Sequence, residues 1–122
     1  MPWRDYKELK IWQKSMALVD EVYKLISKLP SDEKYALASQ IRRAVVSVPS
    51  NIAEGNARSS QKEFVHFLEI SKGSLFELDT QLMICQRQNY LTKEETDSVL
   101  VQTDELIKML SKLIIKINET NS

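Results

Sequence analysis

The sequence predicts an all-α protein, an antiparallel up-down-up-down four-helix bundle, and three observations carry that prediction. Apolar residues recur in a 3-4 rhythm four times along the 122 residues, the period of an amphipathic helix. The breaks between the four periodic stretches carry recognisable stop and start residues. Only two glycines and three prolines are present, too few turn formers for an all-β or α/β chain. Short connections between long helices force neighbours to run antiparallel.

The expected elements are helices over about 5–29, 32–54, 61–88 and 93–118, in one domain spanning 1–122. The first takes its core row as Leu9, Trp12, Met16, Val19, Tyr23 and Ile26, and Leu29-Pro30 stops it. Ser31, followed by Asp32-Glu33, reads as the N-cap and acidic first turn of the second helix. That helix carries Leu37, Ile41, Ala44, Val48 and Ile52, and Gly55 reads as its C-terminal stop. Ser60 to Glu63 and Thr92 to Glu95 read as capping boxes opening the third and fourth helices. The third carries Phe64, Leu68, Ser71, Leu75, Leu78, Leu82 and Cys85; the fourth carries Val99, Thr103, Leu106, Leu110, Leu113 and Ile117.

Two helices hold more apolar surface than one bundle needs. Helix one adds a second row, Ile11, Leu18, Val22, Leu25 and Leu29, and helix four adds Leu100, Ile107 and Ile114. A wide core face is one explanation. Burial on two sides, the second against another subunit, is the sharper one, and Val46, well off the Ile41/Val48 line, points the same way.

Lys+Arg and Asp+Glu both total 17, so the formal net charge is zero and the protein as a whole lacks the basic footprint of a nucleic-acid binder. The stretch 40–72 is locally positive, with five basic and three acidic groups. Charged residues interrupt every apolar run, so neither a signal peptide nor a membrane span is expected and the expected location is cytoplasmic. The single cysteine, Cys85, cannot form an intrachain disulfide or a thiolate metal site.

The central run "QIRRAVVSVPSNIAEGNARSSQKEF", Gln40 to Phe64, concentrates the unusual residues. Pro49 removes the amide that would bond the carbonyl of Val45, so it either bends helix two or joins a long helix to a short one; Ser47 and Ser50 could satisfy freed backbone groups. Arg42, Arg43, Arg58 and Lys62 form a candidate phosphate-facing patch. Arg43 shares a helical face with Ser50 and Glu54, so a salt bridge or an inter-subunit pair through Glu54 competes with that role. Asn51 could hydrogen-bond across an interface.

Catalytic and metal chemistry find little support. Glu63-Phe64-Val65-His66 has the Glu-x-x-His spacing of di-iron bundles, but those require a second such motif and two further glutamates, and His66 is the only histidine. Cys85 on a core row and His66 on an outer face do not make a nucleophile–base pair. Gly55 and Gly73 supply no phosphate-cradling loop; Gly73, between Ser71 and Ser74, reads instead as a point of close helix approach. No catalytic residue, metal or cofactor is therefore expected.

The same central run, followed by "GSLFELDTQL" and "NYL" and preceded by "YKELKIWQK", resembles the four-helix-bundle proteins encoded in intervening sequences of bacterial 23S ribosomal RNA genes. The resemblance covers nearly the whole chain. The same superfamily includes the accessory variability determinant of diversity-generating retroelements. The resemblance implies a ring-like homo-oligomer, typically a pentamer, and does not imply an enzyme. It also implies two kinds of partner: nucleic acid, RNA or DNA, and a protein such as a reverse transcriptase. This chain departs from the retroelement relatives in being neutral where they are strongly basic. The positions that match the motif are Arg42, Arg43, Ser47, Pro49, Asn51, Glu54, Gly55, Arg58 and Glu63. Arg42, Arg43, Arg58 and Lys62 are the expected nucleic-acid contacts. Ser47, Pro49, Asn51, Glu54, Gly55 and Glu63 are the expected assembly motif. The leading expectation is an oligomer that binds structured RNA through repeated arginines, where five copies of a weak patch act by avidity; the alternative is a scaffold for a protein partner.

Overall fold

A computed structural model describes residues 5–120; residues 1–4 and 121–122 of the expected domain lie outside the described residues. Four α-helices account for most of them: α1 Lys10–Ile26, α2 Leu37–Asn56, α3 Gln61–Arg87 and α4 Lys93–Thr120. Short 3-10 helices, Tyr6–Glu8 and Ser31–Glu33, precede α1 and α2. Among the described residues there is no strand, so the all-α expectation holds.

The element ends show local chemistry at work. Ser60 Oγ accepts the amide of Glu63 and donates to its carboxylate, both at 3.1 Å. Thr92 and Glu95 form the fully reciprocal box, with Glu95 N on Thr92 Oγ1 and Thr92 N on Glu95 Oε1. Lys28 adds an ion pair to Glu95, and these contacts hold its carboxyl below the usual range. Asn89 takes a left-handed φ of 62° just past α3, while the amide of Tyr90 returns to the carbonyl of Cys85.

Three boundary expectations are corrected. Leu9 is extended, with ψ 127°, so α1 opens at Lys10 rather than near residue 5. It closes at Ile26, before Leu29-Pro30, because 3-10 bonds from Lys28 and Leu29 tighten its end. Ser31 is not the N-cap of α2. Residues 31–33 make their own 3-10 turn, and the Glu33 carboxylate instead receives the Leu37 amide on one oxygen (3.4 Å) and the Tyr90 hydroxyl on the other (3.0 Å).

The core row expected for α3 is buried throughout. In α1 most of the second row turns inward, while of the main row only Ile26 is fully buried and Leu9, Trp12 and Val19 pack at the edge of the core. Ile11, Ser15, Leu18, Val22 and Leu25 face inward, whereas Met16 and Tyr23 are 40% and 43% exposed and Trp12 and Val19 only half-buried. The rows lie one residue, roughly 100°, apart. The inner one escapes a purely apolar reading because it contains Ser15, whose hydroxyl donates to the Ile11 carbonyl at 2.6 Å and so enters the core satisfied. In α4 the inner line ends on Ile114 and Ile117, and Leu113 is half-buried at its edge.

Cross-helix contacts pair rising residue numbers on one helix with falling numbers on its neighbour. Ser47 meets Ser74 and Val48 meets Ser71 across α2 and α3. Thr96, Thr103 and Ser111 of α4 bond Gln86, Asp79 and Lys72 of α3. Lys14 of α1 and Lys28 just past its end pair with Glu105 and Glu95 of α4. Burial pushes the Asp79 carboxyl up, the Thr103 hydroxyl works against that, and the Asp104 charge adds to it.

Neither glycine has its expected role. Gly55 lies inside the last turn of α2 and has no positive φ. A Cβ there would sit 2.7 Å from Phe67 Cβ and 3.0 Å from the Phe64 ring, so this is the point of closest approach. A Cβ on Gly73 would meet nothing within 4 Å. Gly55→Ala is therefore expected to lower stability by about 1–3 kcal/mol through overpacking, and Gly73→Ala to raise it by about 0.5–1 kcal/mol through helix propensity. Urea denaturation of the two variants checks both signs.

Candidate functional site

The conspicuous polar run of the sequence lies along α2 and its turn into α3. α2 continues unbroken through Pro49, which is buried, so the join between two helices is not what this proline makes. The helix is held around it from two directions. Ser71 Oγ, fully buried on α3, donates to the Val48 carbonyl at 2.9 Å. Asn51 Nδ2 donates to both the carbonyl (2.8 Å) and the hydroxyl (2.9 Å) of Ser47, and Ser47 Oγ continues to Ser74 Oγ at 2.9 Å. Thus Ser47, Asn51 and Gly55, with Ser71 and Ser74 opposite, form the seam between α2 and α3. Within the chain, the Asn51 amide bonds its own helix rather than reaching across an interface.

Glu54 and Arg58 form an exposed i,i+4 ion pair at 2.5 Å, so within the chain the partner of Glu54 is Arg58, not Arg43. The Arg58 guanidinium also covers the Phe67 ring at 4.9 Å. Glu63 serves the N-terminus of α3, and His66 is exposed, edge-on to Phe67 at 5.4 Å.

The four candidate cations do not converge on one pocket. Arg42 turns toward α1, where its guanidinium lies over the Tyr23 ring at 5.9 Å. Arg43 turns toward α3 and lines an open groove of about 370 Å³ with Gln40, Ser47, Ser74 and Glu77. Arg58 and Lys62 lie beyond the far end of α2, roughly 20 Å along by the helical rise. Among the described residues Arg43 and Lys62 are exposed and make no ion pair.

A second feature adjoins the run. The outward row of α1 and the outer side of α2 enclose an apolar groove of about 340 Å³, lined by Tyr6, Trp12, Met16, Val19, Val46, Pro49, Ser50 and Ala53. Tyr6 closes one end, edge-on to Trp12 at 5.3 Å. Pro49 thus faces an apolar groove.

No group of three or more His, Cys, Asp or Glu among the described residues could hold a metal. Cys85 is buried and its thiol is pushed up to about 11 by burial, with Glu33 adding to it, the opposite of an activated nucleophile. Among the described residues no helix is long and apolar enough to cross a membrane.

These features define a class: an all-α protein with a polar, arginine-bearing second helix beside an apolar groove. The model of the 23S rRNA-intervening sequence protein family matches residues 7–112, and the chain belongs to that family. Among solved structures, the chain is similar to a protein of unknown function from the S23 ribosomal protein family of Bacteroides thetaiotaomicron VPI-5482. The two share 26% identity over 85% of this chain and 97% of that one, with a TM-score of 0.79. A search of curated proteins gives no match.

Sequence reasoning missed Ser74 and Ser71 as partners of α2, and it missed the apolar groove's composition because it had assigned Trp12, Met16 and Val19 to the core. Ser71→Ala and Asn51→Ala are each expected to cost about 0.5–1.5 kcal/mol by removing seam hydrogen bonds. Glu54→Ala is expected to cost no more than about 1 kcal/mol, the range of an exposed pair. Thermal denaturation of the three variants checks that ranking.

Proposed function

We propose that the protein is a non-enzymatic, cytoplasmic homo-oligomer that binds structured RNA through the cations edging α2. The observation that carries the nucleic-acid reading is that three of the four cations keep their charge uncompensated. Arg43 and Lys62 have no carboxylate partner among the described residues, and Arg42 rests on an aromatic ring; only Arg58 is neutralised. Guanidinium groups of this kind bind phosphates, so the contacts are sequence-tolerant and weaken as salt rises. Spacing along a helix, rather than convergence, suits an extended polyanion.

Assembly rests on the apolar groove between α1 and α2. Its Met16 and Val46 are 40% and 39% exposed, and burying them against a second copy removes that apolar groove from water. The up-down-up-down bundle repeated as a ring, five copies in the count that the family resemblance implies, sets the arginines of successive subunits in a series. A net charge of zero per subunit then still allows binding by avidity.

A second reading is favoured by a different face. Phe76 and Met83 on α3 and Val101 and Ile115 on α4 are about half exposed or more, so apolar surface remains after assembly through α1 and α2. In that reading the oligomer is a scaffold for a protein partner, and its binding is indifferent to moderate salt.

The test is fluorescence anisotropy of a labelled structured RNA and a duplex DNA at about 50 and about 200 mM salt, with oligomeric mass measured alongside. The wild type is expected to bind more than tenfold more tightly at the lower salt. The quadruple variant Arg42→Ala, Arg43→Ala, Arg58→Ala, Lys62→Ala is expected to lose binding while keeping its mass. Val19→Asp with Val46→Asp is expected to give a folded monomer. Absence of binding at low salt would end the nucleic-acid reading and leave the scaffold.

A further inference from the structure

The corner where α1 turns into α2 holds a third, smaller pocket of about 230 Å³. Its floor is apolar, from Ile26, Leu29 and Ala38, and its lining carries two cations, Lys34 and Arg42, and no carboxylate. Each cation rests on an exposed tyrosine. Lys34 Nζ lies 5.4 Å from the centre of the Tyr35 ring, and the Arg42 guanidinium lies 5.9 Å from that of Tyr23. Tyr35 is 87% exposed, the most exposed of the large apolar side chains among the described residues, and Tyr23 is 43% exposed. Two of the four tyrosines of the chain are thus held in water beside one cationic pocket, although aromatic side chains contribute most to stability when buried.

The carboxylates that could neutralise this corner are largely engaged elsewhere. Glu33 holds the Leu37 amide and the Tyr90 hydroxyl, and Glu95 pairs with Lys28. Asp32 is exposed beside the pocket and has no described ion-pair partner.

We infer that this corner is a stacking platform for single-stranded RNA, with Tyr35 and Tyr23 taking unpaired bases on their faces and Lys34 and Arg42 taking the intervening phosphates. The inference rests on the nucleic-acid reading above and refines it: it specifies an unpaired strand, and it adds Tyr23, Lys34 and Tyr35 to the arginines of α2. The physical basis is that every base presents a π-face whereas only unpaired bases can expose it, so exposed aromatics alternating with cations favour single strands. A duplex offers the same phosphates but no free face.

The experiment compares a labelled unstructured 12-nucleotide RNA with a blunt RNA duplex, each titrated with the full chain by anisotropy at about 50 mM salt. The single strand is expected to bind more tightly. Tyr35→Ala is expected to weaken single-strand binding about tenfold and to leave duplex binding unchanged. Tyr35→Trp restores the single-strand affinity, which a purely structural role for Tyr35 would not require. Lys34→Ala is expected to weaken both ligands and to lower the salt dependence by about one phosphate contact, and Asp32→Asn to strengthen both. Full single-strand affinity in Tyr35→Ala, or preference for the duplex, overturns the platform while the broader reading stands. Absence of binding to either RNA by the wild type overturns both.

Discussion

The close seam between α2 and α3 is the constraint on which the rest of the molecule depends. It is built from small and hydroxyl-bearing residues. Gly55 admits Phe67 and Phe64 to within contact of the backbone, and the Ser47–Ser74 and Ser71–Val48 bonds set the register above it. Such residues bury little apolar area, so the stabilisation comes from the proximity they allow and from the satisfied polar groups, not from large side chains. This seam fixes the rotation of α2 about its own axis. Once that rotation is set, Arg43 must turn toward α3, Arg42 must turn toward α1, and Val46 and Pro49 must flank the outer row of α1. The arrangement of cations and apolar groove follows from it.

The same constraint gives Pro49 a place in the account. A proline in a helix sacrifices a backbone bond and costs about 3 kcal/mol in an isolated helix interior. Here the helix runs on, with Asn51 and Ser71 bonding the two carbonyls just before residue 49, those of Ser47 and Val48, and the ring itself is buried. The proline is tolerated by its neighbours and lends a rigid apolar surface to the groove.

How much of this was legible in the sequence depends on whether the signal was local. The class, the four helices and the two capping boxes were legible, because a cap is a matter of residues three apart. The α3 core row was legible because that helix has one dominant stripe. The α1 rows were not, since Ser15 interrupts the buried row and nothing interrupts the outer one; only the partner helices decide which row turns inward. The glycines were misassigned for the same reason, because close approach is a property of the facing helix, and here the facing residues are Phe64 and Phe67. Glu33 was read as a first-turn acid of α2, whereas its contact with Tyr90 spans 57 positions and has no periodic signature. The arginines were found by residue type, but their divergence to opposite sides of α2 needed the fold.

Native-state hydrogen exchange tests the primacy of the α2–α3 seam most directly. Amides of residues 48 and 50–55 in α2 and 64–75 in α3 are predicted to exchange only through global unfolding, with opening free energies equal to the full stability of the chain and above those of α1 and α4. Exchange of α2 through local opening near Pro49, at a free energy below that of α1, would contradict the account and make the core row of α1, not the seam, the element that positions everything else.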